Sequence, residues 1–60
     1  MKVSEFKRRI EAAGCYIKRH GANHDIYFSP KTGQMFPVPR HGSHEIPQGT
    51  LKSMAKKAGL

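Results

Sequence analysis

The stretch His24-Asp25-Ile26-Tyr27-Phe28-Ser29-Pro30-Lys31-Thr32-Gly33-Gln34-Met35-Phe36-Pro37-Val38-Pro39 decides the fold. Ile26 and Phe28 alternate with Asp25, Tyr27 and Ser29, the period of two that marks a half-buried strand. Pro30-Lys31-Thr32-Gly33 places proline early and glycine late, as tight turns do. Gln34 to Pro39 then resumes the alternation with Phe36 and Val38 on one side, so the two segments are expected to form an antiparallel hairpin. Pro37 and Pro39 have no N–H to give to a ladder, which puts this second strand, or at least its end, at a sheet edge.

On the N-terminal side of the hairpin, Cys15-Tyr16-Ile17-Lys18-Arg19 is short and β-prone, and His20-Gly21-Ala22-Asn23 is turn-like. Before it, Val3, Phe6, Ile10 and Ala13 recur at spacings of three and four, the repeat that lines one face of a helix. Ser4 is the expected N-cap, and Gly14 suits the left-handed position that ends a helix. On the C-terminal side, a loop Arg40-His41-Gly42-Ser43-His44-Glu45 leads to Pro47 and Thr50, where a second helix is expected to begin. Leu51, Met54, Ala55 and Ala58 form its apolar stripe and Gly59 ends it. The order helix, strand, strand, strand, helix predicts an α+β protein in which two helices cover one face of a three-stranded antiparallel sheet, a two-layer sandwich with the other sheet face open. A chain of 60 residues bounds this to one domain, 1–60, with a small core.

Eleven Lys or Arg stand against four Asp or Glu, a formal charge of +7. Such an excess repels itself unless a polyanion is usually near, so a nucleic-acid partner is expected. The single cysteine, Cys15, allows no internal disulfide and points to a reducing compartment. No apolar run approaches the length of a membrane span and the charged start Met1-Lys2-Val3-Ser4-Glu5 leads into no secretory apolar stretch, so a cytoplasmic location is expected.

Chemistry would fall to the four histidines. His20 and His24 flank the Gly21-Ala22-Asn23 turn, while His41 and His44 lie in the loop before the second helix. No cysteine pair exists and the acids stand at no obvious ligand spacing, so neither a metal nor a cofactor is expected. Imidazole takes or gives a proton near neutrality. His24 directly follows a glycine-containing turn at the start of a regular strand, where a side chain is held by the sheet and still faces out. RNA carries its own nucleophile in the 2′-hydroxyl, so its cleavage needs only a proton acceptor, a proton donor and positive charge near the phosphate. His24 is therefore the candidate catalytic residue. Lys18, Arg19, Lys31, Arg40, Lys52, Lys56 and Lys57 are the candidate RNA-binding cations, and charge on loops and a helix suits shape-based contact with an A-form duplex. Tyr16, Tyr27 and Phe28 have faces on which bases could stack, although Phe28 reads more naturally as core.

Several segments in this order carry a family resemblance: Ser4-Glu5-Phe6 leading to Gly14, Gly21-Ala22-Asn23-His24, Val38-Pro39-Arg40-His41, Glu45-Ile46 followed by Gly49-Thr50-Leu51, and Lys57-Ala58-Gly59-Leu60. Together they resemble the HicA toxins of bacterial and archaeal toxin–antitoxin systems over nearly the whole chain. The resemblance implies a double-stranded-RNA-binding-like fold and an mRNA interferase that cleaves RNA without metal and inhibits translation. It also implies a HicB-type antitoxin that occludes the active histidine, matched here by His24. Many members have a serine and a second histidine where this chain has Ala22 and Asn23, so no role is carried over to position 23. His41 falls where the family commonly has histidine, which suggests a supporting part in phosphate contact or proton transfer. The competing reading is a non-catalytic RNA-binding module that blocks translation by occupancy.

Overall fold

The computed structural model describes all residues from Met1 to Leu60. Its elements are α1 (Val3–Ala12), β1 (Tyr16–His20), β2 (His24–Ser29), β3 (Gln34–Pro39) and α2 (Gln48–Ala58). The strands form one antiparallel sheet in the order β1-β2-β3. This is the expected helix, three strands and helix, in a two-layer α+β arrangement of double-stranded-RNA-binding type. β3 is an edge strand, as Pro37 and Pro39 require.

The helices cover less of the sheet than the sequence suggested. α2 packs on β3 and β2, α1 packs on β3, and every residue of β1 is exposed. The core consists of Val3, Phe6 and Ile10 from α1, Cys15, Tyr27, Phe36 and Val38 from the sheet side, Ile46 from the loop, and Met54 and Ala58 from α2. Two short helices with two or three fully buried side chains each cannot span three strands, so β1 lies beyond their cover.

Three local readings are corrected. α1 starts at Val3 with Lys2 as its N-cap, and no side chain caps it. The loop after β3 does this work instead: the Val3 N–H donates to the His44 carbonyl at 2.9 Å and the Ser4 N–H to the Gly42 carbonyl at 3.0 Å. Ala13, expected on the buried stripe, is exposed at the helix end. Most important, β2 turns the opposite face inward. Asp25, Tyr27 and Ser29 are buried against the helices, and Phe28, read as core, lies on the open face of the sheet beside Tyr16, their ring centroids 5.6 Å apart. The inward face is the more polar one, and it is tolerated because each polar group finds a partner. The Tyr27 hydroxyl donates to Glu11 at 2.8 Å and the Ser29 hydroxyl to the Ala58 carbonyl at 2.9 Å, and no buried side-chain nitrogen or oxygen is left without a bond. Burial first, and then the Glu11 carboxylate, raise the Tyr27 phenol well above its ordinary pKa. Tyr27 also stacks on Phe36, giving the core its aromatic centre.

Candidate functional site

The β1–β2 turn is built from polar contacts rather than apolar packing. The Gly21 N–H donates to the His24 carbonyl at 2.7 Å, closing the turn. A Cβ on Gly21 would stand 2.8 Å from that same carbonyl oxygen, so the position admits no larger residue without a backbone shift. One residue after His24, the Asp25 carboxylate accepts from His20 Nδ1 at 2.8 Å and from the Arg40 guanidinium at 2.9 Å. The same guanidinium donates to the Gly21 carbonyl at 2.6 Å and reaches the Ala22 carbonyl at 3.4 Å. The hydrogen bonds from His20 and Arg40, in that order, hold the Asp25 carboxyl below its ordinary pKa, so it stays ionised and the clamp persists at neutral pH.

Register explains how His20 reaches Asp25. A bulge between Ile17 and Arg19 inserts one extra residue, Lys18, and returns His20 to the helix-side face opposite Asp25. His24 belongs to the other face. Its neighbour Asp25 is buried on the helix side, so alternation turns the exposed His24 side chain to the open face, opposite Pro39 on β3. The two histidines flanking the turn thus diverge. His20 braces the strand from one side of the sheet, and His24 presents its imidazole on the other.

The remaining sequence candidates divide by location. Arg19 pairs with Ile26, two residues from His24 on the same face, and Lys18 lies over the Phe28 ring with its Nζ 5.5 Å from the centroid. Arg40 is engaged with the turn. Lys31 sits in the β2–β3 turn beside Gly59, at the far end of β2 and about 17 Å of strand from His24. Lys52, Lys56 and Lys57 lie along α2, with the Lys57 carbonyl accepting from the Thr32 hydroxyl at that same far end. His41 packs its ring on His44, centroids 5.1 Å apart, in the loop that caps α1, and it makes no hydrogen bond to the β1–β2 turn. No three His, Cys, Asp or Glu side chains come close enough together to hold a metal ion.

His24 stands out in the sequence as a candidate, and the residues that hold its backbone do not. In the sequence Asp25 falls on the side of the strand opposite Ile26 and Phe28, Gly21 is one residue of a turn, and His20 only flanks that turn. The available signal was Asp25 itself, one of four acids in a chain of net charge +7, standing next to the candidate histidine.

The comparisons with known proteins agree with one another. A family model described as HicA toxin of bacterial toxin–antitoxin matches residues 3–60. The chain is 40% identical over 60 residues to a probable mRNA interferase HicA 2 from Photorhabdus laumondii subsp. laumondii, covering all of this chain and 98% of that one. It is 33% identical over 60 residues to a probable mRNA interferase HicA from Pseudomonas fluorescens, covering all of this chain and 97% of the relative.

Proposed function

The chain belongs to the HicA toxin family, and from that premise we propose that its reaction centre is His24, held at the end of β2 by the Gly21 turn and the Asp25 clamp. It is the toxin of a toxin–antitoxin pair, an endoribonuclease acting on mRNA. One observation carries the assignment of the histidine. The backbone of His24 is fixed on both sides, by the bond from Gly21 and by the buried carboxylate of Asp25, while its imidazole is left exposed. Fixing the main chain while freeing the ring is what a positioned acid or base needs.

In the reaction, His24 accepts the proton of a ribose 2′-hydroxyl as that oxygen attacks the adjacent phosphorus. The new O2′–P bond forms, the P–O5′ bond breaks, and the departing 5′-oxygen takes a proton. The products are a 2′,3′-cyclic phosphate and a 5′-hydroxyl end. No metal is needed for these steps because the nucleophile is the substrate's own and cationic side chains, Arg19 foremost, steady the charged phosphate. His41 stands two residues beyond Pro39, the cross-strand partner of His24, and takes the supporting part in phosphate contact or in supplying the second proton. A HicB-type antitoxin silences the toxin by covering His24. The work is cytoplasmic, where mRNA is, and no helix is long and apolar enough to cross a membrane.

Expression of the chain and of His24→Ala from a tightly controlled promoter tests this reading. The wild type should arrest growth and fragment mRNA, and the variant should do neither although it folds. Purified wild-type protein should keep cutting RNA in the presence of a chelator and fail on a strand whose 2′-hydroxyls are replaced by hydrogen. Cutting by His24→Ala at the wild-type rate would end the assignment. Growth arrest with intact mRNA from both forms would favour translation block by occupancy.

A further inference from the structure

The open face of the sheet is unusual for a protein surface. Below His24 and Pro39 runs the row Arg19, Ile26 and Pro37, and below that the row Tyr16, Phe28 and Met35. Tyr16 is 46% exposed and Met35 56% exposed, no helix covers them, and Lys18 reaches over Phe28 from the bulge. Two aromatic rings in tilted contact, two cations and a histidine therefore share one surface, and neither ring belongs to the core cluster.

We propose that this face is a binding platform for single-stranded RNA, on which Phe28 and Tyr16 stack a base while Lys18 and Arg19 hold the phosphates that lead to His24. The proposal rests on the reading of His24 as the reaction centre and adds where the strand lies. Several features favour RNA as the occupant. The chain carries +7 formal charge and its only acid in the three strands, Asp25, is turned to the helix side and paired there, so the strands present no carboxylate on the open face. Aromatic faces alternating with cations are the means by which proteins hold single strands, since every base has a π-face and every linkage a charge. Duplex contact would not use the rings, because paired bases are stacked on each other and hide their faces. Phe28 lies four steps along the strand from His24, about 13 Å, so the base stacked on Phe28 is not the one whose 2′-hydroxyl reacts. The bulge at Lys18 is part of the device. It keeps Lys18 and Arg19 on the platform side while sending His20 to brace Asp25.

Phe28→Ala, Phe28→Tyr and Tyr16→Ala variants, each in the full chain, test the platform. Binding is read at one fixed salt concentration in the His24→Ala background, so that the strand survives, with a fluorescent single-stranded RNA oligonucleotide and an abasic strand of the same length. Phe28→Ala should bind the RNA about tenfold more weakly and Tyr16→Ala less so, with Phe28→Tyr near wild type and the abasic strand indifferent to all three. Thermal melting of each variant confirms the fold, which the position of both rings outside the core leaves intact. In active protein, Phe28→Ala should raise KM and spare kcat. Unchanged RNA affinity in Phe28→Ala overturns the platform, while leaving the role of His24 to its own cleavage test. Loss of antitoxin binding with RNA affinity intact also overturns it and gives the face to the protein partner. An equal loss for the abasic strand overturns base stacking as its basis.

Discussion

The two ends of β2 make opposite use of polar side chains. At the Ser29 end, hydroxyls are spent on the fold: Ser29 donates to the Ala58 carbonyl, Thr32 to the Lys57 carbonyl, and the last turn of α2 is capped by them. Gly59, at φ 84°, lies so close to Lys31 and Thr32 that a Cβ there would approach the Lys31 Cδ to 3.0 Å. At the His24 end the polar side chains are not bonded to a helix. Asp25, His20 and Arg40 instead bond to one another and to the turn, and the histidine beside them stays free. One strand thus carries an end fastened to a helix and an end, the proposed reactive one, fastened to β1 through His20 and to Arg40 after β3. A charge clamp can rigidify a turn without burying it, which is what an enzyme with so small a core needs.

Substitutions should separate the two ends. The largest expected effect is His24→Ala, which should lower RNA cleavage by about a thousandfold, within the range a general acid or base supplies, with the melting temperature unmoved. Loss of stability without loss of cleavage would reverse the roles given to the two ends. Asp25→Asn comes next. It weakens the grip of His20 and Arg40 beside the proposed reaction centre and should lower kcat about tenfold while KM stays close to wild type. The same residue sets an acid limit. Its folded pKa lies below the ordinary 3.8, so the stability it contributes is fully present above pH 3.8 and is lost as the pH falls through the folded value. Denaturation curves measured from pH 5 downward should show that loss in the wild type and lack this component in Asp25→Asn. Gly21→Ala should displace the His24 carbonyl and lower kcat severalfold, and an unaltered rate would show that the turn need not be tight. Ser29→Ala has the smallest effect and acts on the other axis. Removing a buried hydrogen bond should cost about 1 kcal/mol, a fall of roughly 4–8 °C in Tm for a domain of this size, with kcat unchanged.

Much of this protein was determined by local sequence. Apolar spacings of three and four fix α1 and α2, period two fixes β2 and β3, and Pro30 to Gly33 fixes the turn between them, where Gly33 takes φ 72°. These are short-range preferences, and each is satisfied by residues a few positions apart. The prolines placed β3 at an edge for the same reason, since an absent N–H is a property of the residue itself. His24 was legible as a candidate because a turn glycine and a regular strand adjoin it in the chain.

Which face of β2 points inward was decided only by the tertiary structure. Period two defines two faces and says nothing of which one meets the helices, and apolar content alone favours Ile26 and Phe28 over Asp25, Tyr27 and Ser29. The partners that make the polar face buriable come from elsewhere: Glu11 sixteen residues before Tyr27, Ala58 twenty-nine residues after Ser29, and Arg40 fifteen residues after Asp25. A buried polar group is costly alone and nearly free when bonded, so the sign of its contribution depends on neighbours that only the folded chain supplies. That long-range choice turned Phe28 outward, put Asp25 behind the turn, and left His24 and the aromatic rings together on the open face.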